Sequence, residues 1–148
     1  MTKTLAGSKV AEIIAEVLPD AIVKYDANNV WVNPSYLDEA CKILKHHANL
    51  DFSYLNSITA VDYIEKFELL YHLTSLRTNS KTTIRVTCPN GRKSPSVPSV
   101  ISIWQSADLQ EREIWDLMGI KFTGHPNLKR ILLWEGFDGH PLRKDYLG

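Results

Sequence analysis

The sequence predicts an α+β domain: a mainly antiparallel sheet packed with two to three helices, followed by an extended, irregular C-terminal strap. Three observations carry that expectation. At 148 residues and 44% hydrophobic, the chain is one domain in size and can bury a core without disulfides or metals. Its β-rich runs follow one another directly rather than alternating with helices, which favours α+β over a doubly wound parallel sheet. The composition changes after Met118, so residues 1–118 read as the domain and 119–148 as the strap.

Taken in order, Val10, Ile13, Ile14, Val17 and Leu18 recur at helical spacing, with Ser8 as the expected N-cap and Pro19 as the stop. Residues 21–32 alternate about the turn signal Ala27-Asn28-Asn29, which predicts a hairpin. Beyond Pro34, Ser35 is the expected cap of a second helix whose apolar stripe is Leu37, Ala40, Cys41, Leu44 and Ala48. The runs 54–63, 67–76 and 82–88 are rich in β-branched and aromatic residues and give three successive antiparallel strands. Pro89-Asn90-Gly91 is a turn, 94–98 a proline-bearing loop, and 100–104 a last strand or extended segment.

The third helix is expected over about 109–118, opened by an Asp108/Glu111 capping box and closed by Gly119 at the left-handed position. Arg112 and Asp116 stand one turn apart and can pair. Glu111, Arg112, Glu113 and Asp116 put charge on more than half of the helix, leaving Ile114, Leu117 and Met118 as its anchor. Such an acid-base cluster is either a solvated face or a device that docks a partner and fixes the loop after it.

Residues 119–148 hold five of the seven glycines, two prolines and four aromatics, without a sustained helical or strand period. The segment nonetheless keeps Ile120, Phe122, Leu128, Ile131, Leu132, Leu133, Trp134, Phe137 and Leu142, too much apolar surface for a disordered tail. A thirty-residue irregular stretch is unusual inside a small self-contained domain, which points to a partner that covers it. Alone, the chain should be poorly soluble or carry a mobile strap. Gly124-His125-Pro126 and Gly139-His140-Pro141 repeat one triplet, each followed by a basic pair, and predict two similar turns. Histidine chemistry at His125 or His140 lacks a companion: no G-x-S-x-G, H-E-x-x-H or Cys/His constellation occurs in the chain.

Composition excludes several classes of function. Seventeen basic and seventeen acidic residues balance, so no net field draws the chain to nucleic acid or anionic lipid. Two cysteines, Cys41 and Cys88, are too few for an all-cysteine zinc site or a four-thiolate iron–sulfur cluster, and they read as reduced, partly buried thiols. The longest strictly apolar run, Ile131 to Trp134, is far short of the roughly 20 residues of a membrane-spanning helix, so no direct membrane insertion is expected. The N-terminal residues lack the apolar core of a secretory signal.

In order, Glu111-Arg112-Glu113, Asp116-Leu117-Met118-Gly119-Ile120, Phe122, Gly124-His125-Pro126, Leu128-Lys129-Arg130-Ile131-Leu132 and the run Gly139 to Tyr146 resemble the signature of the 30 kDa subunit family of respiratory complex I, the NADH-quinone oxidoreductase. Upstream, residues 58–63, 67–73 and 98–100 also resemble it, so the likeness covers about 35–148. Trp115 stands where the family often has tyrosine. The resemblance implies a cofactor-free structural subunit of the peripheral arm, with NADH or another donor, FMN, iron–sulfur clusters and quinone bound by partner subunits. It implies packing chiefly against the subunit that lines the quinone pocket, at the cytoplasmic side of the cell membrane or the equivalent inner face of an organelle membrane. The related subunit of a membrane-bound energy-converting hydrogenase is the alternative. No catalytic, cofactor or metal residues are assigned. The residues expected to fix the strap or form the interface are Glu111, Arg112, Trp115, Asp116, Gly119, His125, Pro126, Arg130, Gly139, His140, Pro141, Arg143, Lys144 and Asp145, with Arg130 and Arg143 suited to bidentate carboxylate pairing.

Overall fold

In the computed structural model, which describes residues 2–148, a two-residue strand β1 (Lys3–Thr4) leads into α1 (Gly7–Val17). The helix begins earlier than Ser8. Ala6 occupies its cap without a side-chain hydrogen bond, and Ser8 lies inside the first turn. The close approach at Gly7 sets this start: its N–H donates to Ala27 O at 3.1 Å, and a Cβ there would lie 2.7 Å from Asn29 O and collide with Asp26 O. Only glycine lets the helix end sit on the hairpin turn.

That hairpin is β2 (Ile22–Tyr25) and β3 (Asn29–Val32). Its turn is closed by Asp26, whose Oδ1 accepts the N–H groups of Asn28 and Asn29 at 2.9 and 2.7 Å. Asn33, rather than Ser35, is the next cap: its side chain accepts from Ser35 N at 3.0 Å, opening a 3₁₀ turn over Pro34–Tyr36 that runs into α2 (Leu37–His46). Ala48 lies past the helix end.

The three β-branched runs become β4 (Tyr54–Asp62), β5 (Phe67–Ser75) and β6 (Ser80–Thr87), paired antiparallel in sequence order. The six-stranded sheet has the order β2-β3-β6-β5-β4, with β1 also beside β6. Its two crossover pairs, β1 with β6 and β3 with β6, are parallel. Alternation along β5 and β6 turns Leu69, Tyr71, Leu73, Ile84 and Val86 into a core shared with Val10 and Ile14 of α1 and Leu37 and Leu44 of α2. Each such fully buried aliphatic side chain contributes about 1.5–3 kcal/mol of apolar transfer free energy.

A second, parallel pair joins β7 (Ser96–Pro98) to β8 (Lys121–Thr123), so the strand lies in the expected proline-bearing loop. Residues 100–104, expected to be extended, form a turn in which Ile103 and Trp104 N–H both donate to Val100 O at 3.0 Å. The turn buries Val100, Ile103 and Trp104 together, and the Trp104 indole N–H reaches Phe52 O at 3.0 Å. Between these strands runs α3 (Ala107–Met118). Ile120 and Phe122, at the head of the glycine-rich segment, are core residues, and the irregular path begins at Gly124.

A carboxylate-clasped strap as the candidate interface

Two charged residues of α3, expected on its surface or in local pairs, are fully buried. Glu111 does not close a capping box; its carboxylate accepts from Ser99 Oγ at 2.5 Å and from Val100 N at 2.9 Å. Burial raises its pKa above the usual carboxylate range, and these two donors offset part of that rise. Asp116 does not pair with Arg112. Its Oδ2 accepts three successive backbone N–H groups, from Ile131, Leu132 and Leu133, at 3.1, 2.7 and 2.9 Å, while Oδ1 takes Arg130 Nη1 at 2.8 Å. Burial pushes the Asp116 pKa up, but Arg130 and the three amides outweigh it and hold the group at about 2. Successive amides around one oxygen are a built anion nest, here filled by the protein's own carboxylate.

The strap continues from that clasp by way of backbone carbonyls. Arg130 Nη2 donates to Phe137 O and Gly139 O, both at 2.9 Å, so one guanidinium ties α3 to two points of the strap. Arg112 donates to Lys129 O and Arg130 O, each at 3.2 Å. His140 Nδ1 lies 2.9 Å from Asp116 O, its ring against Trp115 with centroids 5.3 Å apart. The helix ends as expected at Gly119, left-handed at φ 74°, where a Cβ would lie 2.6 Å from His140 Cδ2. Gly139, at φ 95°, would likewise press on the Tyr146 ring. Pro126 and Pro141 follow the two histidines directly.

The repeated triplets do form two related turns. Both glycines have positive φ, and both histidines reach a carbonyl of α3. His125 Nδ1 accepts from Asn127 N at 3.0 Å, leaving Nε2–H for Asp108, 3.0 Å from Oδ1 and 3.2 Å from the backbone oxygen.

A second clasp closes the far end. Asp62, 4% exposed at the end of β4, forms a bidentate ion pair with Arg92, at 2.6 and 2.8 Å, and also accepts Lys144 N at 2.9 Å and Ile64 N at 2.8 Å. The Arg92 guanidinium, ahead of burial and the two amides, sets the balance that holds its pKa well below the carboxylate range. Arg92 also meets Asp145 at 3.2 Å. Arg143, expected to pair with a carboxylate, instead donates to Met118 O at 2.6 Å and Arg92 O at 2.9 Å. Both guanidinium groups, of Arg92 and Arg143, lie over the Phe67 ring, 4.6 and 4.9 Å from its centroid. The contribution of Lys144 is its backbone N–H, and its side chain is exposed.

Sequence reasoning missed Asp62, Arg92, Phe67 and Asp108, which lie outside the charged stretch it followed or, for Asp108, were given a different role. The signal available was an aspartate closing a strand and a lone arginine after a Pro-Asn-Gly turn, neither of which specifies a partner 30 or 82 residues away.

The strap's arginines and histidines turn inward, while apolar side chains stand outward among the exposed Lys129, Glu135, Asp138 and Lys144. Leu132 is 61% exposed, Trp134 70% and Leu142 60%, with Ile131 at their margin. Trp134 packs edge-on against Phe137 at 6.2 Å, and Phe137 stacks with Tyr146 at 6.5 Å. Leu142 also lines a groove of about 230 Å³ between α3 and the edge strand β4, with Ile58, Ala60, Ile114, Leu117 and Met118. Among the described residues, no group of three or more His, Cys, Asp and Glu is placed to hold a metal, and no helix is long and apolar enough to cross a membrane. Both thiols are buried, Cys88 with its pKa raised to about 12 by desolvation.

Residues 30–148 match the family described as the respiratory-chain NADH dehydrogenase, 30 Kd subunit. The chain belongs to that family.

Relatives of this 30 Kd subunit family agree. The chain is 45% identical over 118 residues to an NADH-quinone oxidoreductase subunit of Rhizobium meliloti, covering 78% of this chain and 63% of that protein. It is 42% identical over 143 residues to NADH-ubiquinone oxidoreductase subunit 9 of Reclinomonas americana, covering 95% and 69%. The chain therefore spans about two thirds of the length of these relatives. Among solved structures, the trypsin-resistant fragment of Nqo5 superposes with a TM-score of 0.63 at 31% identity, covering 82% of this chain and 98% of that one. A chain of the membrane-bound sulfane sulfur reductase, described as an archaeal respiratory membrane complex, superposes at 0.73 and 25% identity, covering 94% and 84%. The α+β architecture expected from the sequence is thus the family's own.

Proposed function

We propose that this member of the 30 Kd subunit family acts as a non-redox structural subunit of the peripheral arm of an NADH-quinone oxidoreductase. Its own chemistry is support. The domain holds the strap over 119–148, and the strap docks on the neighbouring subunit that lines the quinone pocket. NADH or another donor, FMN, iron–sulfur clusters and quinone belong to the partners. Electron transfer to quinone and its coupling to proton translocation are properties of the assembly, which sits peripherally on the cytoplasmic side of the membrane or its organelle equivalent.

The observation that carries this reading is the two-sidedness of the strap. Its arginines, histidines and amides are consumed by α3, β4 and the loop at Arg92, while Leu132, Trp134 and Leu142 stand in solvent. Three large apolar side chains exposed on one short, anchored segment support an interface there. Its test is incorporation of the Leu132→Asp and Trp134→Asp chains into the complex. Both residues are exposed, so the fold should survive, and loss of incorporation is the expected result.

One other reading is the equivalent subunit of a membrane-bound energy-converting hydrogenase, since the chain is also similar to one from an archaeal respiratory membrane complex. Copurification and assay separate them: quinone reduction by the isolated complex supports the first, and hydrogen evolution with a nickel-bearing partner the second.

A further inference from the structure

We propose that the tip of the β4–β5 hairpin is a second docking point, and that Ile64 enters an apolar recess of the same neighbouring subunit that the strap meets. The inference rests on the docking reading above and extends it to a part of the chain outside the strap.

Four of the described non-glycine residues have positive φ. Asp51, Asn79 and Asn90 are of the types that tolerate the left-handed region, whereas Ile64, at φ 72°, is β-branched and a genuine outlier there. Tyr63 N donates to Lys66 O at 2.9 Å, which leaves Ile64-Glu65 as a two-residue connection, and Glu65 N donates to Tyr63 O at 2.8 Å across Ile64. The first residue of so tight a loop, when its φ is positive, is normally glycine. Both backbone groups of Ile64 are nonetheless clamped. Asp62 Oδ1 accepts its N–H at 2.8 Å, and Arg92 Nη1 donates to its carbonyl at 2.9 Å.

Strain of this kind persists where the surroundings over-determine it, and it clusters at sites that do something. Burial is not the compensation, because the Ile64 side chain is 64% exposed and Tyr63 beside it is exposed as well. Glycine or asparagine would suit the loop better, so what isoleucine adds is an apolar side chain aimed away from the domain. Its position says what covers it. Asp62 takes Ile64 N on Oδ1 and Lys144 N of the strap on Oδ2, while Arg92 bridges Asp62 to Asp145. One carboxylate thus separates the hairpin tip from the seat of the strap, and a subunit covering the strap there has Ile64 at the margin of the same surface.

Competition for the complex tests this. Wild-type and variant full chains are co-expressed with different tags, and their ratio in the purified complex is compared with their ratio in the lysate. Ile64→Gly and Ile64→Asn should each be depleted about tenfold, the loss expected for one buried aliphatic anchor. The thermal midpoint of either purified chain should be no lower than that of the wild type, since both residues fit the left-handed position. Leu76→Ser, an exposed site in the turn at the other end of β5, should enter in the wild-type ratio. A photocrosslinking phenylalanine analogue at position 63 should capture the same subunit as one at position 134. The proposal is overturned if the Ile64 variants compete evenly or lower the midpoint, if Leu76→Ser is depleted equally, or if position 63 captures a different subunit. Failure of the docking reading looks different: Leu132→Asp and Trp134→Asp would enter the complex normally.

Discussion

Asp116 and Glu111 sit five positions apart on one helix, both fully buried, yet their carboxyl groups are held in opposite senses. Asp116 is stabilised as an anion by Arg130 and three amides, so Asp116→Ala leaves Arg130 and those amides without their acceptor. Truncating one half of a buried pair should lower stability by about 3 kcal/mol, measured by chemical denaturation. Glu111 has two donors and a raised pKa. Glu111→Gln removes the buried charge and can still accept from Val100 N while donating to Ser99 Oγ. It should therefore change stability by less than about 1 kcal/mol, whereas Glu111→Ala strands both partners and should lose about 1–3 kcal/mol. Equal losses for the two Glu111 variants would contradict these roles for Ser99 and Val100. The sequence announced both carboxylates as charges on a helix. It did not announce their burial, because a period-3.6 reading assigns the charged face to solvent, and only the fold brings Ser99 and the strap amides over it.

At the scale of the elements, strands β4 to β6 were legible within a few residues, since alternation and β-branching act locally. Helix starts were less so. Ser8 and Ser35 were the best capping residues by type, but the close approach at Gly7 and the Asn33 side chain decided the geometry. Residues 100–104 look like a strand and form a turn, because burial of Trp104 and the bond from Val100 N to Glu111 are long-range terms. Gly119 was legible as a helix stop, and the structure adds a second reason for glycine, the His140 ring. Gly119→Ala should lower the thermal midpoint by an amount equivalent to about 1–3 kcal/mol, from left-handed strain plus displacement of that ring. His140→Ala in the same background should recover part of the loss. If the double variant is no better than the sum of the singles, the ring contact is not the cause.

For the molecule as a whole, the strap is tied to the domain at Asp116 and Asp62, and both carboxylates have depressed pKa values. A depressed folded-state pKa gives stability that is fully present above the unfolded value, near 3.9, and is lost as pH falls through the folded value. Near neutral pH the contribution of these two carboxylates should therefore be constant. Between about pH 4 and pH 2 the strap should detach, read in fluorescence as rising exposure of Trp115, which packs on the His140 ring. Glu111, with its raised pKa, works in the opposite direction and slightly favours the core on acidification. That a strap exists, and that it is too apolar to be free, was visible in composition; its inner attachment was not, because Asp62 and Arg92 lie far from it in sequence. The proposed role of this chain is to present the outer face of that strap to its neighbour in the respiratory complex. Its most direct test is assembly of that complex with Trp134→Asp in place of the wild-type chain. The variant is expected to fold normally, keep the Asp116 clasp and be largely absent from the purified complex. A variant that assembles at wild-type levels would contradict the claim.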